Sequence, residues 1–122
     1  MGADSTLVFY GVRQLIPVDG NDDTVDDRLY VYETNTHPTQ VNAKRLGLDA
    51  DLWSDENDEL YLYIGRRIAI LSAERLDHLY YGYLELNEAK LALISAEVKA
   101  GLAQLDIADT PALHFDWRPQ YH

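Results

Sequence analysis

The sequence predicts an α+β fold in which two helices pack on one face of an antiparallel or mixed sheet. Two short segments, Leu29–Tyr32 and Leu60–Ile64, alternate aliphatic and tyrosine side chains, and this alternation has the period of a strand. Residues 87–105 instead repeat aliphatic side chains at three- and four-residue steps, the period of an amphipathic helix. Short links between strands favour a two-layer sandwich of about five to six strands, in the order β-β-α-β-β-β-α-β.

The first predicted strand covers residues 5–16, which are rich in β-branched and aromatic residues, with a bend or bulge at Gly11. Pro17 ends it. Residues 19–27 are acidic and turn-prone and predict a surface loop. Residues 28–33 then predict a second strand that forms a wide antiparallel hairpin with the first.

The first predicted helix runs from Pro38 to Leu46. Capping side chains at 35–37 precede a proline whose missing N–H does no harm at a helix start, and Gly47 provides a left-handed stop. Residues 48–59 predict a second acidic loop, which Leu52 and Trp53 attach to the body of the protein.

Residues 60–72 predict two strands joined by a type II′ turn at Gly65-Arg66, because glycine suits the first central position of that turn. A single long bent strand is the alternative. A connector follows at 73–78, and residues 79–86 predict a further strand.

The second helix begins after Asn87, which is a good N-cap residue. Its apolar stripe consists of Leu91, Ile94, Val98, Leu102 and Leu105. A last strand, Leu113–Trp117, places its three apolar residues on one face and His114 and Asp116 on the other.

The composition indicates one globular domain over residues 1–122, with 47% hydrophobic and 25% charged residues. The absence of cysteine excludes disulfides, thiolate nucleophiles and zinc sites built on sulfur. No apolar run approaches the ~20 residues that cross a bilayer, and the first residues lack the pattern of a secretion signal. We therefore expect a soluble cytoplasmic protein with no cofactor.

The tyrosines provide the first candidate binding surface. Tyr30, Tyr32, Tyr61 and Tyr63 share one face if their strands are neighbours in register. Tyrosine combines a wide contact area with a polar tip and is favoured at binding surfaces, although it is also an ordinary half-buried strand former. A pocket over this face would suit a small ligand.

Three further residues are candidate contacts for a ligand or partner. Arg66 and Arg67 form the one local basic spot, and a guanidinium pair can bind a carboxylate or phosphate. His114 lies two residues from Asp116, a spacing that could orient an imidazole for base catalysis or leave a simple surface pair.

The loop at 19–27 contains part of a calcium-binding pattern. Its candidate ligands are Asp19, Asn21, Asp23 and Asp27. Thr24 replaces the usual glycine, however, and Tyr30 occupies the position of the bidentate glutamate, so the best-defined ligand is missing.

The formal net charge of −11 disfavours direct binding to nucleic acid or to anionic membranes. The same charge is compatible with a role in solubility alone, which is the commoner case, or with the steering of a basic protein partner. With no catalytic motif in view, the sequence favours a non-enzymatic protein-interaction module, of the inhibitor or immunity type. A small-ligand-binding domain or small enzyme, with its pocket over the tyrosines, is the alternative, and calcium binding is a third possibility. An exposed aromatic face or strand edge also suits a homodimer.

Overall fold

The computed structural model describes residues 3–17, 30–54, 59–74, 79–81 and 84–118. These residues form the predicted α+β fold. The elements are, in chain order, β1 (Ala3–Ile16), α1 (Pro38–Arg45), β2 (Asp49–Ser54), β3 (Leu60–Glu74), β4 (Leu79–Tyr81), α2 (Glu88–Gln104) and β5 (Ala112–Arg118). Among the described residues, no helix is both long enough and apolar enough to span a membrane.

The sheet is antiparallel, and its strands follow the order β2-β3-β1-β5. The three-residue β4 pairs with residues 72–74 of β3. It lies on the same side of β3 as β2, which pairs with residues 60–65. The body of the sheet therefore has four strands within the described residues, fewer than the five to six that the sequence predicts.

The predicted hairpin at 60–72 is wrong, and the alternative of one long strand is correct. β3 pairs with β1 along its whole length, from Ala3 opposite Glu74 to Ile16 opposite Leu60, with one register shift after Val8. Gly65 lies in the middle of this ladder, opposite Gly11, rather than in a turn. The fourteen-residue β1 supplies a continuous partner, which a local turn propensity does not override.

The predicted strand at 28–33 is also wrong where the structure describes it, because residues 30–33 are helical. The amides of Thr34 and Thr36 donate to the carbonyls of Tyr30 and Val31, both at 2.9 Å. The Thr34 hydroxyl donates to the same Tyr30 carbonyl at 2.7 Å. These local bonds compete with extended backbone and close a helical turn before α1.

The helix α1 agrees with its prediction to within one residue. Its N-cap is His37, whose Nδ1 accepts from the Thr39 amide at 3.2 Å, and Gly47 has the left-handed φ of 78° expected of a stop. The loop predicted at 48–59 is wrong over 49–54, which form β2. The strand predicted at 79–86 is confirmed only over 79–81, since 84–87 are not extended in a sheet.

One apolar cluster joins both helices to the sheet. It includes Val12, Leu62 and Ile64 from the strands, Ala43 from α1 and Val98 from α2. Because both helices share this cluster, they lie on the same side of the sheet. All five residues of the predicted α2 stripe belong to the cluster or pack against it, and Asn87 caps the helix by accepting from the Lys90 amide at 2.8 Å.

Candidate functional site

Two of the four candidate tyrosines lie where the alternation predicts. Tyr61 and Tyr63 point to the sheet face opposite Leu62 and the helices, and they join a second cluster with Leu7 and Phe9. We call this side the tyrosine face.

The other two candidates correct the prediction. Tyr30 is in the helical turn and is 64% exposed. Tyr32 is in the same turn, packs against the helix-side cluster and stacks on His37 at a ring distance of 4.3 Å. A surface formed by all four tyrosines is therefore wrong, because residues 30–33 are not part of the sheet.

Tyr63 is at the centre of the tyrosine face and is fully buried. Its hydroxyl donates to the Asp116 carboxylate on β5, and that carboxylate lies 3.7 Å from Arg13 on β1. Burial and the bond to Asp116 raise the pKa of Tyr63 far above its ordinary value. The hydroxyl consequently stays protonated and acts as a hydrogen-bond donor.

Arg13 on β1 connects the buried Tyr63–Asp116 hydrogen bond to the more exposed Tyr61. Its guanidinium carbon lies 4.1 Å from the centre of the Tyr61 ring, a cation–π contact, and the Tyr61 hydroxyl donates to Glu59 at 2.8 Å. The hydrogen bond with the Tyr63 hydroxyl is the main cause that raises the pKa of Arg13. The charged groups of Arg13, Asp116 and Glu59 are therefore all in contact with tyrosines of this face or with each other.

His114 and Asp116 share the tyrosine face, as the alternation of β5 predicts. The two side chains have different partners. The Nε2 atom of His114 lies 3.0 Å from the Gly11 carbonyl oxygen, and its ring meets the Tyr63 ring edge-on at 5.8 Å. Asp116 accepts a hydrogen bond from Tyr63, so its carboxylate is directed to that hydroxyl and not to the imidazole of His114.

Arg66 and Arg67 occupy one strand rather than a hairpin tip, and each is already paired. Arg66 lies 3.4 Å from Glu97 on α2 and 3.8 Å from Asp49. Arg67 lies 3.2 Å from Asp51, and its amide donates to Asp49 at 2.8 Å. Their charges are directed to carboxylates of the same chain.

A cleft of about 260 Å³ opens between β2, β3 and the segment 32–35. Its lining residues are Leu7, Tyr32, Glu33, Asn35, Ala50, Asp51, Leu52, Trp53, Arg67 and Ile70. Of the sequence candidates, Tyr32 and Arg67 line this cleft, whereas Tyr61, Tyr63 and His114 do not. The sequence missed it because its two walls, the turn at 30–33 and strand β2, were predicted as a strand and a loop.

The electrostatics of the cleft centre on Asp51. Burial raises the pKa of its carboxyl, Arg67 opposes this shift, and the neighbouring Asp49 adds to it. The lining contains two carboxylates, Glu33 and Asp51, against the single guanidinium of Arg67. An additional cation in the cleft would therefore stabilise Asp51 in its charged form.

The proposed calcium ligands at 19–27 lie outside the described residues. Within the part of the chain that the structure describes, no three histidine or acidic side chains are grouped so that they could hold a metal ion.

Comparison with protein-family models, with curated proteins and with solved structures finds no match for this chain.

Proposed function

We propose that this chain is a protein-interaction module for a basic partner, and that the cleft beside β2 receives a lysine or arginine side chain of that partner. The observation that carries the proposal is the lining of the cleft, in which apolar walls from Leu52, Trp53 and Ile70 adjoin the carboxylates of Glu33 and Asp51. Lysine and arginine carry an apolar stem and a charged head, and this combination matches such a lining.

The size of the cleft favours a single side chain over a cofactor. Pockets for drug-sized ligands occupy ~300–1,000 Å³, and this cleft has about 260 Å³.

The charge of the chain supports the same partner. The formal net charge is −11, and the arginines at 13, 66 and 67 already face carboxylates within 4 Å. The uncompensated negative field accelerates encounters with cationic proteins and slows those with anionic ones.

Calorimetric titration with an oligoarginine peptide tests the proposal. We expect saturable binding. Glu33→Gln is expected to weaken the affinity roughly two- to fivefold, which corresponds to the loss of one partly exposed ion pair. Asp109→Asn removes the same charge from an exposed loop near the opposite end of the sheet and is the matched control, with affinity close to that of the unmodified chain. Equal weakening by both variants would show a diffuse charge effect and would contradict the cleft.

Arg67→Gln provides a test of opposite sign. Arg67 competes with the incoming cation for Asp51, so its removal is expected to tighten binding of the peptide. Arginine amide, which carries the same head group on one residue, separates a protein site from a small-ligand site. If arginine amide bound as tightly as the peptide, the cleft would belong to a small cation, and the proposal would be wrong.

A further inference from the structure

Beyond the binding of a basic partner, we infer that two copies of this chain associate by pairing β5 with β5, antiparallel, about a two-fold axis at Phe115. Three features of β5 support this pairing: its position in the sheet, the exposure of its side chains and the order of its residues.

β5 is the last strand on the sheet path. All seven of its residues pair with β1 on the inner edge, and no strand of the described residues pairs with its outer edge. An edge strand presents backbone donors and acceptors that can pair with another chain. Phe115 and Trp117 project from this strand on one side and are 63% and 44% exposed.

The order of residues in β5 is self-complementary about its centre. With the axis at Phe115, that ring faces the partner's Phe115, and Leu113 faces the partner's Trp117. On the opposite side of the sheet, His114 faces the partner's Asp116. At these positions apolar side chains face apolar ones, and the imidazole faces a carboxylate. The two-fold axis generates each off-axis pair twice.

The two neighbouring registers keep apolar pairs but lose the pairing of His114 with Asp116. An axis at Asp116 would place two carboxylates directly opposite each other, which is destabilising. An axis at His114 would pair Asp116 with the partner's Ala112. The residue order therefore selects the register about Phe115.

The salt dependence separates this inference from the proposed function. Two copies with a formal charge of −11 repel each other, so screening by salt is expected to strengthen the dimer. Binding of a basic partner at the cleft weakens under the same conditions. Each proposal can therefore fail without the other.

Sedimentation equilibrium over a range of protein and salt concentrations provides the first test. We expect a dimer whose fraction rises with protein concentration and with salt concentration. The Phe115→Lys variant is expected to stay monomeric, because it would place two positive charges next to each other at the two-fold axis. Leu93→Lys is the matched control, because Leu93 on α2 is also 63% exposed, and this variant is expected to dimerise normally. A chain that stays monomeric at millimolar concentration, or a folded Phe115→Lys variant that still dimerises, would overturn the inference.

Cross-linking tests the register without depending on that variant. The chain has no cysteine, so a single introduced thiol reports one position. Directly opposite residues have Cβ atoms ~4.5–5.5 Å apart, close to disulfide geometry. The two copies of residue 117 would lie ~14 Å apart, four residues along the strand. We expect Phe115→Cys to form a disulfide-linked dimer on mild oxidation and Trp117→Cys not to do so; the reverse pattern would contradict the register.

Discussion

The rings of Phe9 and Tyr63 lie 5.4 Å apart, at an angle of 57°, over a pair of glycines. Phe9 is opposite Arg67 and Tyr63 is opposite Arg13, so the two rings come from cross-strand pairs on either side of Gly11 and Gly65. Because neither glycine has a side chain, the two rings close over the bare backbone. This packing holds the Tyr63 hydroxyl against Asp116.

The glycine pair is expected to be intolerant of substitution. A Cβ on Gly11 would lie 2.9 Å from the Gly65 Cα and would collide with the Ile64 carbonyl oxygen. The obstacle is backbone in the middle of a ladder, which cannot rotate away. Gly11→Ala is therefore expected to lower the free energy of unfolding by at least ~3 kcal/mol, measured by urea denaturation.

Gly47→Ala is the control for the glycine experiment. Gly47 has a φ of 78° but nothing within 4 Å of a Cβ, so alanine there costs only the left-handed conformation, ~1–2 kcal/mol. If the two variants lost equal stability, the contact between the β1 and β3 backbones would not be the cause.

The buried hydroxyl of Tyr63 gives a second prediction. Tyr63→Phe removes the donor to Asp116, a buried carboxylate that also lies 3.7 Å from Arg13. Loss of a hydrogen bond to a charged group costs ~1.5–3 kcal/mol. Tyr61→Phe removes an exposed bond to Glu59 and is expected to cost under ~1 kcal/mol. Thermal and denaturant unfolding of both variants would measure this difference, and equal losses would contradict a special role for the buried bond.

The raised pKa of Asp51 predicts a pH-dependent stability. The folded chain holds the Asp51 proton more tightly than the unfolded chain, so its ionisation reduces the free energy of unfolding as pH rises above ~4. Asp51→Asn cannot ionise. Its stability relative to the unmodified chain is therefore expected to increase from about pH 3 to pH 7.

Arg67 provides the internal check on this prediction. It lowers the pKa of Asp51 and so limits the cost of ionisation. Arg67→Gln is expected to lose more stability at pH 7 than at pH 3, and this pH dependence is expected to shrink when Asp51→Asn is also present. A difference between Asp51→Asn and the unmodified chain that did not change with pH would contradict a raised pKa.

The sequence predicted best those elements whose pattern is long or strongly capped. The apolar stripe of α2 extends over four turns after the N-cap Asn87, and β1 is rich in β-branched and aromatic residues. Local preference and tertiary packing therefore agree in both elements. The alternation at 60–64 also placed Tyr61 and Tyr63 opposite the helices.

The predictions failed where a pattern of only a few residues was overridden by local hydrogen bonds or by pairing with a long strand. Tyr30 and Tyr32 alternate like strand residues, but the threonines at 34 and 36 bond back to the turn. Gly65-Arg66 resembles a turn, but β1 pairs straight through it. The cleft depends on both of these regions and on β2, so no single segment of sequence carried a signal for it.

The cleft can be tested most directly through its tryptophan. The chain has two tryptophans, of which Trp53 lines the cleft, so the Trp117→Phe variant leaves Trp53 as the single tryptophan, which can be excited selectively over tyrosine. We predict that oligoarginine changes the Trp53 emission saturably at low salt and that about 1 M salt, where the Debye length is ~3 Å, abolishes the change. Emission that stays constant while calorimetry records binding would place the basic partner elsewhere and contradict the account.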